Sequence, residues 1–454
     1  MTLEVIILAA GQGTRMKSEL PKVLNPVAGR TMLEHVVNAA QALGPTAIHV
    51  VVGHGAGQVQ AALADYSLNW VLQELQLGTG HAVLQALPAV APDSTVLVLY
   101  GDVPLITEAT LQNLVDQASQ APALLTAVVE EPSGYGRIVR DDSGQVLAVV
   151  EHKDATEAQR EIKEINTGVL AAPAQALNSY LPQVGNDNQQ GEYYLPDILA
   201  LAVADGGHIH STTAGSELEI LGVNDRLQLN RVEREYQRRQ AENLLRQGVH
   251  LADASRLDVR GELLCGVGVS IDVNVVIEGR VELGNGVSVG PNCVLCDVTV
   301  GSDTTIHAMS HLQQAVVGSA CSVGPFARLR PGTVLGDSAR IGNFVEAKNS
   351  HIGVGSKVNH LAYIGDTQMG DGVNVGAGTI SCNYDGAFKH QTDIGDGVFI
   401  GSNTTLVAPV TIEKDGFVAA GSTVTRKVSE GELAVGRTKQ RNIKGWQRPK
   451  KTNK

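Results

Sequence analysis

Aromatic residues are scarce in this sequence, since Phe, Trp and Tyr make up only 4% of its 454 residues. Glycine occurs 50 times, which predicts many tight turns around thin layers of aliphatic side chains. No run of eighteen apolar residues occurs, and the first ten residues lack a basic region followed by a cleavable apolar core. We therefore expect a cytoplasmic protein that is neither secreted nor inserted in a membrane.

Cysteine is also sparse, and its distribution excludes a disulfide framework. The five cysteines make an odd number without regular spacing, as expected in a reducing cytosol. Cys293 and Cys296 form a single C-x2-C pair, but no second pair of metal ligands lies nearby in the sequence. A structural role is therefore favoured over a metal site for this pair.

Basic residues are rare in the first half of the chain. Residues 1–226 contain 10 Lys and Arg against 25 Asp and Glu, a net charge of -15, whereas residues 227–454 contain 25 against 22, a net charge of +3; together these give the total of -12. An acidic first half cannot hold nucleic acid through a broad basic surface, so we expect no nucleic-acid partner. If it binds phosphates, it must use backbone amides, one or two cations and a metal ion.

The chain is too long for a single core, and its pattern changes along its length. In the first half, strand-like apolar runs at residues 5–8, 47–52, 96–99 and 124–129 alternate with helical patterns such as 32–43 and 59–63. This alternation predicts a parallel sheet covered on both sides, with ligand-binding loops at the glycines that follow the strands. Residues 225–247 then form one polar helical stretch. We therefore predict a first domain at residues 1–226, a helical linker at 227–247 and a second domain at 248–454.

The second domain has a period of six residues. Aliphatic residues followed by glycine recur in phase at Leu283, Val289, Val300, Val317, Val323, Leu335, Ile341, Ile352, Ile364, Met369, Val375, Ile394 and Ile400. Such a repeat predicts a solenoid of triangular coils, in which each aliphatic residue points inward and a small residue permits the corner. The alternative, glycine turns scattered through a β-sandwich, does not explain so many repeats in phase. The period is interrupted near residues 347–350 and by an insertion at 381–391, which predicts a loop there.

A candidate phosphate-binding loop follows the first strand. Residues 8–16 read LAAGQGTRM and residues 21–24 read PKVL. Small residues allow backbone amides to approach a triphosphate, and Arg15 and Lys22 supply charges to its phosphates. Asp102 ends another strand at the same edge, where its carboxylate suits Mg²⁺ beside phosphates, although by itself an Asp there is as often a helix cap.

These strings resemble the sugar-nucleotide pyrophosphorylases. The shared motifs are LAAGQGTRM with PKVL, QLGTGHA at residues 76–82, YGDVPL at 100–105, GYGRI at 134–138, EHKDA at 151–155 and NTG at 166–168. With the hexapeptide half, nearly the whole chain resembles the bifunctional bacterial family of N-acetylglucosamine-1-phosphate uridyltransferase/glucosamine-1-phosphate N-acetyltransferase. The implied fold is an α/β Rossmann-like nucleotidyltransferase domain, a long connecting helix and an all-β left-handed parallel β-helix of hexapeptide repeats.

The resemblance also implies roles for residues of the first domain. It implies that Leu8, Ala9, Ala10, Gly11 and Lys22 hold the uridine nucleotide, that Gln73, Gly78 and Thr79 contact its uracil side, and that Tyr100 and Gly101 flank the metal site. By the same resemblance Gly136, Glu151 and Asn166 bind the amino sugar, and Arg15 stabilises the departing pyrophosphate. Asp102 and Asn224 would hold Mg²⁺, whereas the residues alone favour a helix cap for Asn224.

The second domain contains a candidate catalytic base. Acetylation of a sugar amine requires the neutral amine, and a histidine can accept its proton near pH 7. Three histidines interrupt the repeat, and we interpret His307 and His311 as surface residues. His360 differs, because Arg330, Lys348 and Lys389 can bind phosphate, and Tyr363 and Asn374 can hydrogen-bond a sugar.

The family resemblance assigns the same residues. It implies that His360 is the general base, that Glu346, by a weaker correspondence, orients it, and that Arg330, Lys348, Tyr363 and Asn374 bind the sugar phosphate. It implies that acetyl-CoA is bound by Ala377, Asn383, Tyr384, Ser402, Ala420 and Arg437. The segment 437–454 has eight basic residues and no acidic one, which suits either a solubilising tail or the 3′-phosphate of CoA.

The implied function is a pair of consecutive reactions. Glucosamine 1-phosphate is acetylated from acetyl-CoA, and the product reacts with UTP to give pyrophosphate and UDP-N-acetylglucosamine, for cell-wall and lipopolysaccharide precursors. The resemblance further implies a homotrimer with the acetyl site between subunits. The alternatives are a single-activity nucleotidyltransferase whose solenoid only oligomerises or regulates, and a non-enzymatic trimeric scaffold. The string VNHLAYIGD at 358–366 disfavours the first alternative, and the intact LAAGQGTRM disfavours the second.

Overall fold

The computed structural model of the chain describes residues 2–449, and the chain divides into two compact units, Met1–Gln237 and Arg238–Lys454. The division lies within one long helix, Arg226–Arg246. In the part of the chain that the structure describes, no helix combines the length and the apolar character needed to cross a membrane.

The first unit is built on a nine-stranded sheet. Along its main path the strands are His210–Thr213, Ala123–Val128, Glu164–Pro173, Thr95–Tyr100, Leu3–Ala9, Ala47–Val52 and Asn69–Leu72, with Arg137–Arg140 and Val146–Val150 attached at the side. All neighbours on the main path are parallel except Glu164–Pro173, which is antiparallel to both of its neighbours. The predicted alternation of strands and helices is present.

The first strand explains why the sheet is covered on both sides. Val5 and Ile7 belong to one apolar cluster and Ile6 to another, and all three are fully buried. Successive residues of a strand point to opposite faces, so a continuous apolar run requires a cover on each. The helices of this unit are Met32–Ala42, Ala56–Ala62, Thr79–Ala86, Glu108–Gln117, Glu157–Arg160, Ala174–Tyr180, Asp197–Ala204 and the first part of Arg226–Arg246. Short 3-10 turns lie at Thr14–Met16, Lys22–Leu24, Leu87–Ala89, Leu181–Gln183 and Glu217–Ile220, and a small hairpin pairs Pro26–Val27 with Arg30–Thr31.

The start of helix Met32–Ala42 is fixed by local chemistry. The Thr31 hydroxyl accepts a hydrogen bond from the Glu34 amide at 3.2 Å, and the Glu34 carboxylate accepts one from the Thr31 amide at 2.5 Å. This reciprocal arrangement satisfies two amides that the helix leaves unpaired. The buried residues Leu33, Val36, Val37 and Ala40 then cover the sheet.

The second unit is a solenoid of parallel strands with three faces. The first face contains His250–Leu251, Ser270–Ile271, Ser288–Val289, Thr305–Ile306, Ser322–Val323, Arg340–Asn343, Lys357–His360, Asn374–Val375, Phe399–Ile400, Phe417–Val418 and Leu433–Ala434. The second face contains Arg328–Leu329, Glu346–Lys348, Tyr363–Gly365, Ile380–Cys382, Thr405–Val407 and Thr423–Val424. The third contains Thr333–Leu335, His351–Ile352, Thr367–Met369, Thr392–Ile394 and Val410–Ile412. In the earlier coils the long strands Leu257–Cys265, Val275–Leu283, Val294–Val300 and His311–Val317 span the second and third faces, after a short turn at Ala254–Arg256.

The solenoid core is a column of stacked aliphatic residues. On the first face Val289, Ile306, Val323, Ile341, Val358, Val375, Ile400 and Val418 pair in register and are all buried. Each coil buries its aliphatic side chains only by stacking against the neighbouring coils. The hexapeptide period therefore predicts the core directly, and the fold class predicted from the sequence, a left-handed parallel β-helix after a Rossmann-like domain, is confirmed.

The insertion near residue 385 lengthens one coil. Lys357 pairs with Asn374, 17 residues later, whereas Asn374 pairs with Phe399, 25 residues later. The extra residues form a small loop closed by an antiparallel bridge between Tyr384 and Lys389. The predicted loop is therefore present.

Candidate active sites

A cavity of about 320 Å³ lies at the carboxyl ends of the strands Leu3–Ala9 and Thr95–Tyr100. Its lining includes ten residues that the sequence singled out, namely Leu8, Ala9, Ala10, Gly11, Lys22, Gln73, Gly78, Thr79, Tyr100 and Asp102. Four further lining residues, Val23, Gln76, Ala82 and Glu192, were not predicted. Ligands of open α/β sheets bind at this edge.

The loop after the first strand depends on Gly13. Its φ is +65°, and an added Cβ would lie 2.5 Å from Cβ of Lys22. Only glycine tolerates both constraints, and it lets the turn Thr14–Met16 carry Arg15 back toward the cavity. The Gly101 amide donates to the Leu8 carbonyl at 2.9 Å, which joins this loop to the YGD segment.

Two cationic side chains and two side chains with acceptor oxygens meet at the rim of the cavity. The Lys22 ammonium contacts the Asp102 carboxylate and lies 3.1 Å from Oδ1 of Asn224. The Arg15 guanidinium donates to the same Asn224 oxygen, also at 3.1 Å. The side chains of Lys22 and Asp102 are only 14% and 17% exposed. Asp102 and Asn224, 122 positions apart in sequence, thus turn their oxygens toward one cation.

The residues predicted for the uracil side form another part of the cavity lining. The Gln73 side chain donates to the Gly78 carbonyl at 3.2 Å, and the Thr79 hydroxyl accepts from the Leu195 amide at 3.1 Å. Gly78 has φ +113°, and an added Cβ would lie 2.6 Å from the Tyr193 carbonyl oxygen. This wall is therefore fixed by backbone contacts that exclude a side chain at Gly78.

The residues predicted for the amino sugar form a second group. The Asn166 amide donates to the Gly136 carbonyl at 2.9 Å, and a Cβ added at Gly136 would lie 3.0 Å from Oε1 of Glu151. The Tyr100 ring packs closely against Gly168, whose amide donates to Oδ1 of Asn166 at 2.9 Å. Tyr100, which lines the cavity, thus contacts the segment that carries Asn166.

Burial raises the pKa of acidic groups in this part of the site. It is the main cause that raises the pKa of the Tyr100 hydroxyl, followed by the nearby carboxylates Asp102 and Glu151. Burial also raises the pKa of Glu151, with Asp197 the next cause, and it raises the pKa of Asp197 to about 6 with the help of Asp154. Tyr100 is therefore a hydrogen-bond donor at neutral pH.

Arg137, which was not predicted as a site residue, connects the segments that carry this group. Its side chain is 1% exposed, and its guanidinium donates to the Tyr135 and Arg160 carbonyls and contacts Nδ1 of His152 at 3.3 Å. These contacts join the GYGRI and EHKDA segments. Its position in the alternating strand, directly after Gly136, is the signal that could have identified it.

In the second unit His360 lies at the end of the first face. Its Nδ1 is 3.0 Å from Oδ1 of Asn343, its register partner in the neighbouring coil. With the amide oxygen as acceptor, Nδ1 carries the proton and Nε2 keeps a lone pair. The His360 side chain is exposed. The arrangement suits a base that is oriented through one nitrogen and reacts through the other.

The expected partner of His360 was Glu346, and the structure gives a different pairing. Oε1 of Glu346 accepts from the Arg330 guanidinium at 2.8 Å on the second face. Tyr363 is the register partner of Glu346. The pKa of Lys348 is lowered, chiefly by contact with the ammonium of Lys389 and then by its charge. Arg330, Lys348 and Lys389 therefore form the predicted group of cations.

Three residues predicted to bind acetyl-CoA form a column beside His360. Val358, Val375, Ile400 and Val418 pair in successive coils, so His360, Ala377, Ser402 and Ala420, two positions later, occupy equivalent places. The Ala377 and Ser402 carbonyls accept from Asn403 and Gly421 at 2.7 and 2.8 Å. Neighbouring strands lie roughly 4.8 Å apart, so the column is an extended strip of small residues leading from the histidine.

The remaining predicted residues lie around this column. The Asn383 side chain donates to the Asp366 carboxylate, and it lies near the Tyr363 ring over Gly365. Tyr384 is exposed in the insertion loop, where its hydroxyl donates to the Gly386 carbonyl at 2.6 Å. Arg437 is exposed after the last strand, and residues 450–454 of the basic segment lie outside the described residues. Asn374 lies on the first face, away from Lys348 on the second.

Residues 2–449 contain no group of three His, Cys, Asp or Glu side chains suited to a metal ion. The five cysteines are free thiols. The pKa of both Cys293 and Cys296 is raised by burial, which disfavours the thiolate that a metal requires.

Comparisons with known proteins bear on both units. Residues 5–178 match the family of MobA-like NTP transferase domains, and residues 259–352 match the GMPPB C-terminal domain. The chain is 58% identical to "Bifunctional protein GlmU" of Marinobacter nauticus over 99% of both chains, and 56% identical to the protein of that name from Pseudomonas putida strain GB-1 over 100% of both. The protein of that name from Alkalilimnicola ehrlichii is 56% identical over 98% of this chain and 96% of its own.

The chain belongs to the GlmU family. These relatives are more than half identical to the chain over nearly its full length, so both units are matched. The resemblance drawn from the sequence motifs is therefore confirmed. A solved structure of a nucleotidyl transferase from Methanothermobacter aligns with 54% of the chain at 22% identity and a TM-score of 0.38. The GlmU relatives, which span both units, are the informative comparison.

Proposed function

We propose that the chain makes UDP-N-acetylglucosamine by two consecutive reactions at two sites. The second unit transfers acetyl from acetyl-CoA to the amine of glucosamine 1-phosphate, and the first unit joins the product to UTP with release of pyrophosphate. Membership of a family of bifunctional proteins supports both activities, because both units are matched over their full length. The products supply cell-wall and lipopolysaccharide precursors, in the cytoplasm where UTP and acetyl-CoA are available.

In the first unit a sugar phosphate oxygen attacks the α-phosphorus of UTP, and pyrophosphate leaves. Leu8 to Gly11 and Lys22 hold the nucleotide, and Arg15 neutralises charge that builds on the leaving group. Gly101 is hydrogen-bonded to this loop, and Gly136, Glu151 and Asn166 receive the amino sugar. Catalysis of phosphoryl transfer consists largely of such positioning and charge stabilisation.

The rim of this cavity fits a divalent ion. The oxygens of Asp102 and Asn224 converge on the Lys22 ammonium, so they already surround one cation. A single carboxylate with substrate phosphates is a common environment for Mg²⁺, which supplies charge neutralisation to the phosphates. We therefore assign Asp102 and Asn224 as the Mg²⁺ ligands, with Lys22 free to turn to the phosphates.

In the second unit His360 removes a proton from the sugar ammonium. The amine nitrogen then attacks the thioester carbonyl to form the amide bond, the carbon–sulfur bond breaks, and a second proton from the amine nitrogen passes to the sulfur, so that CoA leaves as a thiol. The Asn343 contact supports this role, because it directs the Nε2 lone pair outward. The pantetheine arm follows the strip from Ala377 through Ser402 to Ala420, and the base stands at its end.

This strip is the observation that favours two activities over one. A solenoid used only for association has no need of a histidine aligned in register with three small residues. To test the function, the purified protein is incubated with glucosamine 1-phosphate, acetyl-CoA and UTP, and free CoA and pyrophosphate are followed separately. Release of CoA without pyrophosphate, or of pyrophosphate without CoA, would show that the protein has only one of the two activities.

The acetyl site requires more than one copy of the chain. Arg330 and Lys348 lie at the far end of the second face, and Asn374 lies at the far end of the first. The two faces diverge from a convex corner, so one sugar phosphate cannot touch both on the same solenoid. A homotrimer with the site between neighbouring copies satisfies this requirement, and the mass of the protein in solution tests it.

A further inference from the structure

Asp366 directly follows the second-face strand Tyr363–Gly365 and contacts both ends of the insertion at 381–391. We propose that Asp366 is a positioning residue of the acetyl site, whose carboxylate fixes the side-chain amide of Asn383 with its oxygen available to an N–H group of acetyl-CoA. The inference rests on the acetyl transfer proposed above. It adds a residue that acts on that reaction through Asn383.

Each oxygen of the Asp366 carboxylate accepts a hydrogen bond from an asparagine side chain. Oδ1 accepts from Nδ2 of Asn349 at 2.6 Å, and Oδ2 accepts from Nδ2 of Asn383. A carboxylate has acceptors only, so both asparagines must turn their NH2 groups toward it. Hydrogen bonds to a charged acceptor are also stronger than those between neutral groups. The carboxylate therefore determines which way round the Asn383 amide lies.

The oxygen of the Asn383 amide is left to accept a hydrogen bond from a ligand. Among residues 2–449 no group donates to this oxygen, although Asn383 is only 7% exposed. The pantetheine arm of acetyl-CoA contains two amide groups, each with an N–H donor that needs an acceptor when the arm leaves water. If the Asn383 amide turned over, its NH2 group would face that N–H and the contact would be lost.

The backbone of Asp366 holds the end of the insertion independently of its side chain. Its carbonyl oxygen accepts from the Thr392 amide at 3.1 Å, and the Asn383 carbonyl accepts from the His390 amide at 2.8 Å. Both contacts join main-chain atoms, so they do not depend on the carboxylate. Replacing the carboxylate should therefore leave the loop closed and release only the orientation of the Asn383 amide.

Asp366 also lies near the cations predicted to bind the sugar phosphate. Its amide donates to the Lys348 carbonyl at 3.1 Å. Contact with Lys389 is the main cause that lowers the pKa of Lys348, and the charge of Asp366 acts in the opposite direction. Removing this negative charge should not weaken phosphate binding. A loss of orientation at Asn383 can therefore be distinguished from a general collapse of the loop, which would also displace Lys389 and weaken phosphate binding.

The test compares Asp366→Asn with Asn349→Gly in the full-length chain. The φ of Asp366 is +48° and that of Asn349 is +45°, conformations that Asn and Gly adopt readily, so both variants should fold. For Asp366→Asn we expect KM for acetyl-CoA to rise about tenfold, the effect of losing one hydrogen bond, with KM for glucosamine 1-phosphate and kcat little changed. Isothermal titration with CoA should show the same weakening. Asn349→Gly removes the other partner of the carboxylate and should bind CoA as the parent does.

A double-mutant cycle shows whether Asp366 acts through Asn383. Asn383→Ala should also raise KM for acetyl-CoA about tenfold, and adding Asp366→Asn should have little further effect, because the amide that the carboxylate orients is already absent. Effects that multiply in the double variant would overturn the proposal. A parental KM for acetyl-CoA in Asp366→Asn would also overturn it and leave the acetyl transfer standing, whereas a parent without acetyl transfer would overturn both. If Asp366→Asn does not fold, Asp366→Gly takes its place with the same expected results.

Discussion

Nδ1 of His360 lies 3.0 Å from Oδ1 of Asn343, the residue beside it in the neighbouring coil. The two are 17 positions apart in sequence, and only the coil register brings them together. Because the amide oxygen accepts the proton on Nδ1, the ring is fixed in one orientation with Nε2 available. The contact therefore makes Asn343 a positioning residue for the proposed base.

Replacing Asn343 with Ala should lower kcat of acetyl transfer about tenfold, the value of one hydrogen bond of ~1.4 kcal/mol. Asn343→Asp, which keeps an oxygen acceptor, should recover part of the rate and should shift its pH profile upward, since a carboxylate favours the imidazolium. Steady-state kinetics from pH 6 to 9 measure both effects. An alanine variant with parental kcat across this range would show that the contact does not position the base.

His360→Ala tests the base itself. Glucosamine 1-phosphate is largely an ammonium ion at neutral pH, and loss of a general base typically costs on the order of 10²–10⁴ in rate. We expect a loss of that size in kcat with little change in KM, because Arg330 and Lys348 still hold the phosphate. The rate should partly recover as pH rises, and uridylyl transfer should not respond. Turnover within a few-fold of the parent at pH 7 would make His360 structural.

Asp102→Asn tests the proposed metal site. Loss of a charged group that acts on the phosphates should lower uridylyl transfer by roughly 10²–10³ and raise the Mg²⁺ concentration needed for half-maximal rate, with acetyl transfer unchanged. Both activities are measured on one preparation across a Mg²⁺ titration, with the exposed Asp93→Asn as the control. Parental uridylyl transfer at low Mg²⁺ would remove Asp102 from the site.

Local sequence patterns predicted the parts of the sites that are built locally. The loop after the first strand and the repeat of aliphatic residue and glycine are short-range signals, since each depends on neighbours within about ten positions. The repeat also carries the column of Ala377, Ser402 and Ala420, because a periodic fold places equivalent positions above one another.

Contacts between distant segments could not be predicted in this way. Glu346 precedes His360 by 14 positions and is predicted to orient it, and within one chain its carboxylate pairs with Arg330 on the second face. The face on which a side chain lies depends on the residue at which its coil turns. The six-residue repeat does not determine the position of that turn to within one residue. Arg137 was missed for a related reason, since its partners His152 and Arg160 lie 15 and 23 positions later in the sequence.

The raised pKa of Asp197 predicts a pH-dependent stability of the first unit. Burial, followed by the charge of Asp154, raises this pKa from the usual 3.8 to about 6. The folded state therefore holds the proton more tightly than the unfolded state, and stability falls as pH rises from about 4 to about 6. Asn does not ionise, so the free energy of unfolding of Asp197→Asn should not fall in this way. Relative to the parent it should rise by on the order of 1 kcal/mol across that range, after allowance for screening by water. Thermal unfolding at pH 4, 5, 6 and 7 measures the difference. The exposed Asp187→Asn should show none, and a pH-independent difference for Asp197→Asn would contradict the prediction.

Cutting the chain inside its long helix should give two independently folded pieces. The helix Arg226–Arg246 contributes Val232 and Tyr236 to an apolar cluster of the first unit, whereas Ala241 and Leu244 belong to the core of the solenoid. The cut between residues 237 and 238 divides these two sets and leaves each buried against its own unit.

Residues 1–237, expressed alone, should convert N-acetylglucosamine 1-phosphate and UTP within a few-fold of the parental rate, and residues 238–454 should retain acetyl transfer. A cut after residue 226 is the informative comparison, because it removes Val232 and Tyr236 from the first piece and should lower its melting temperature. An insoluble or inactive 1–237 piece would mean that the first unit depends on the solenoid, and the boundary would then be wrong.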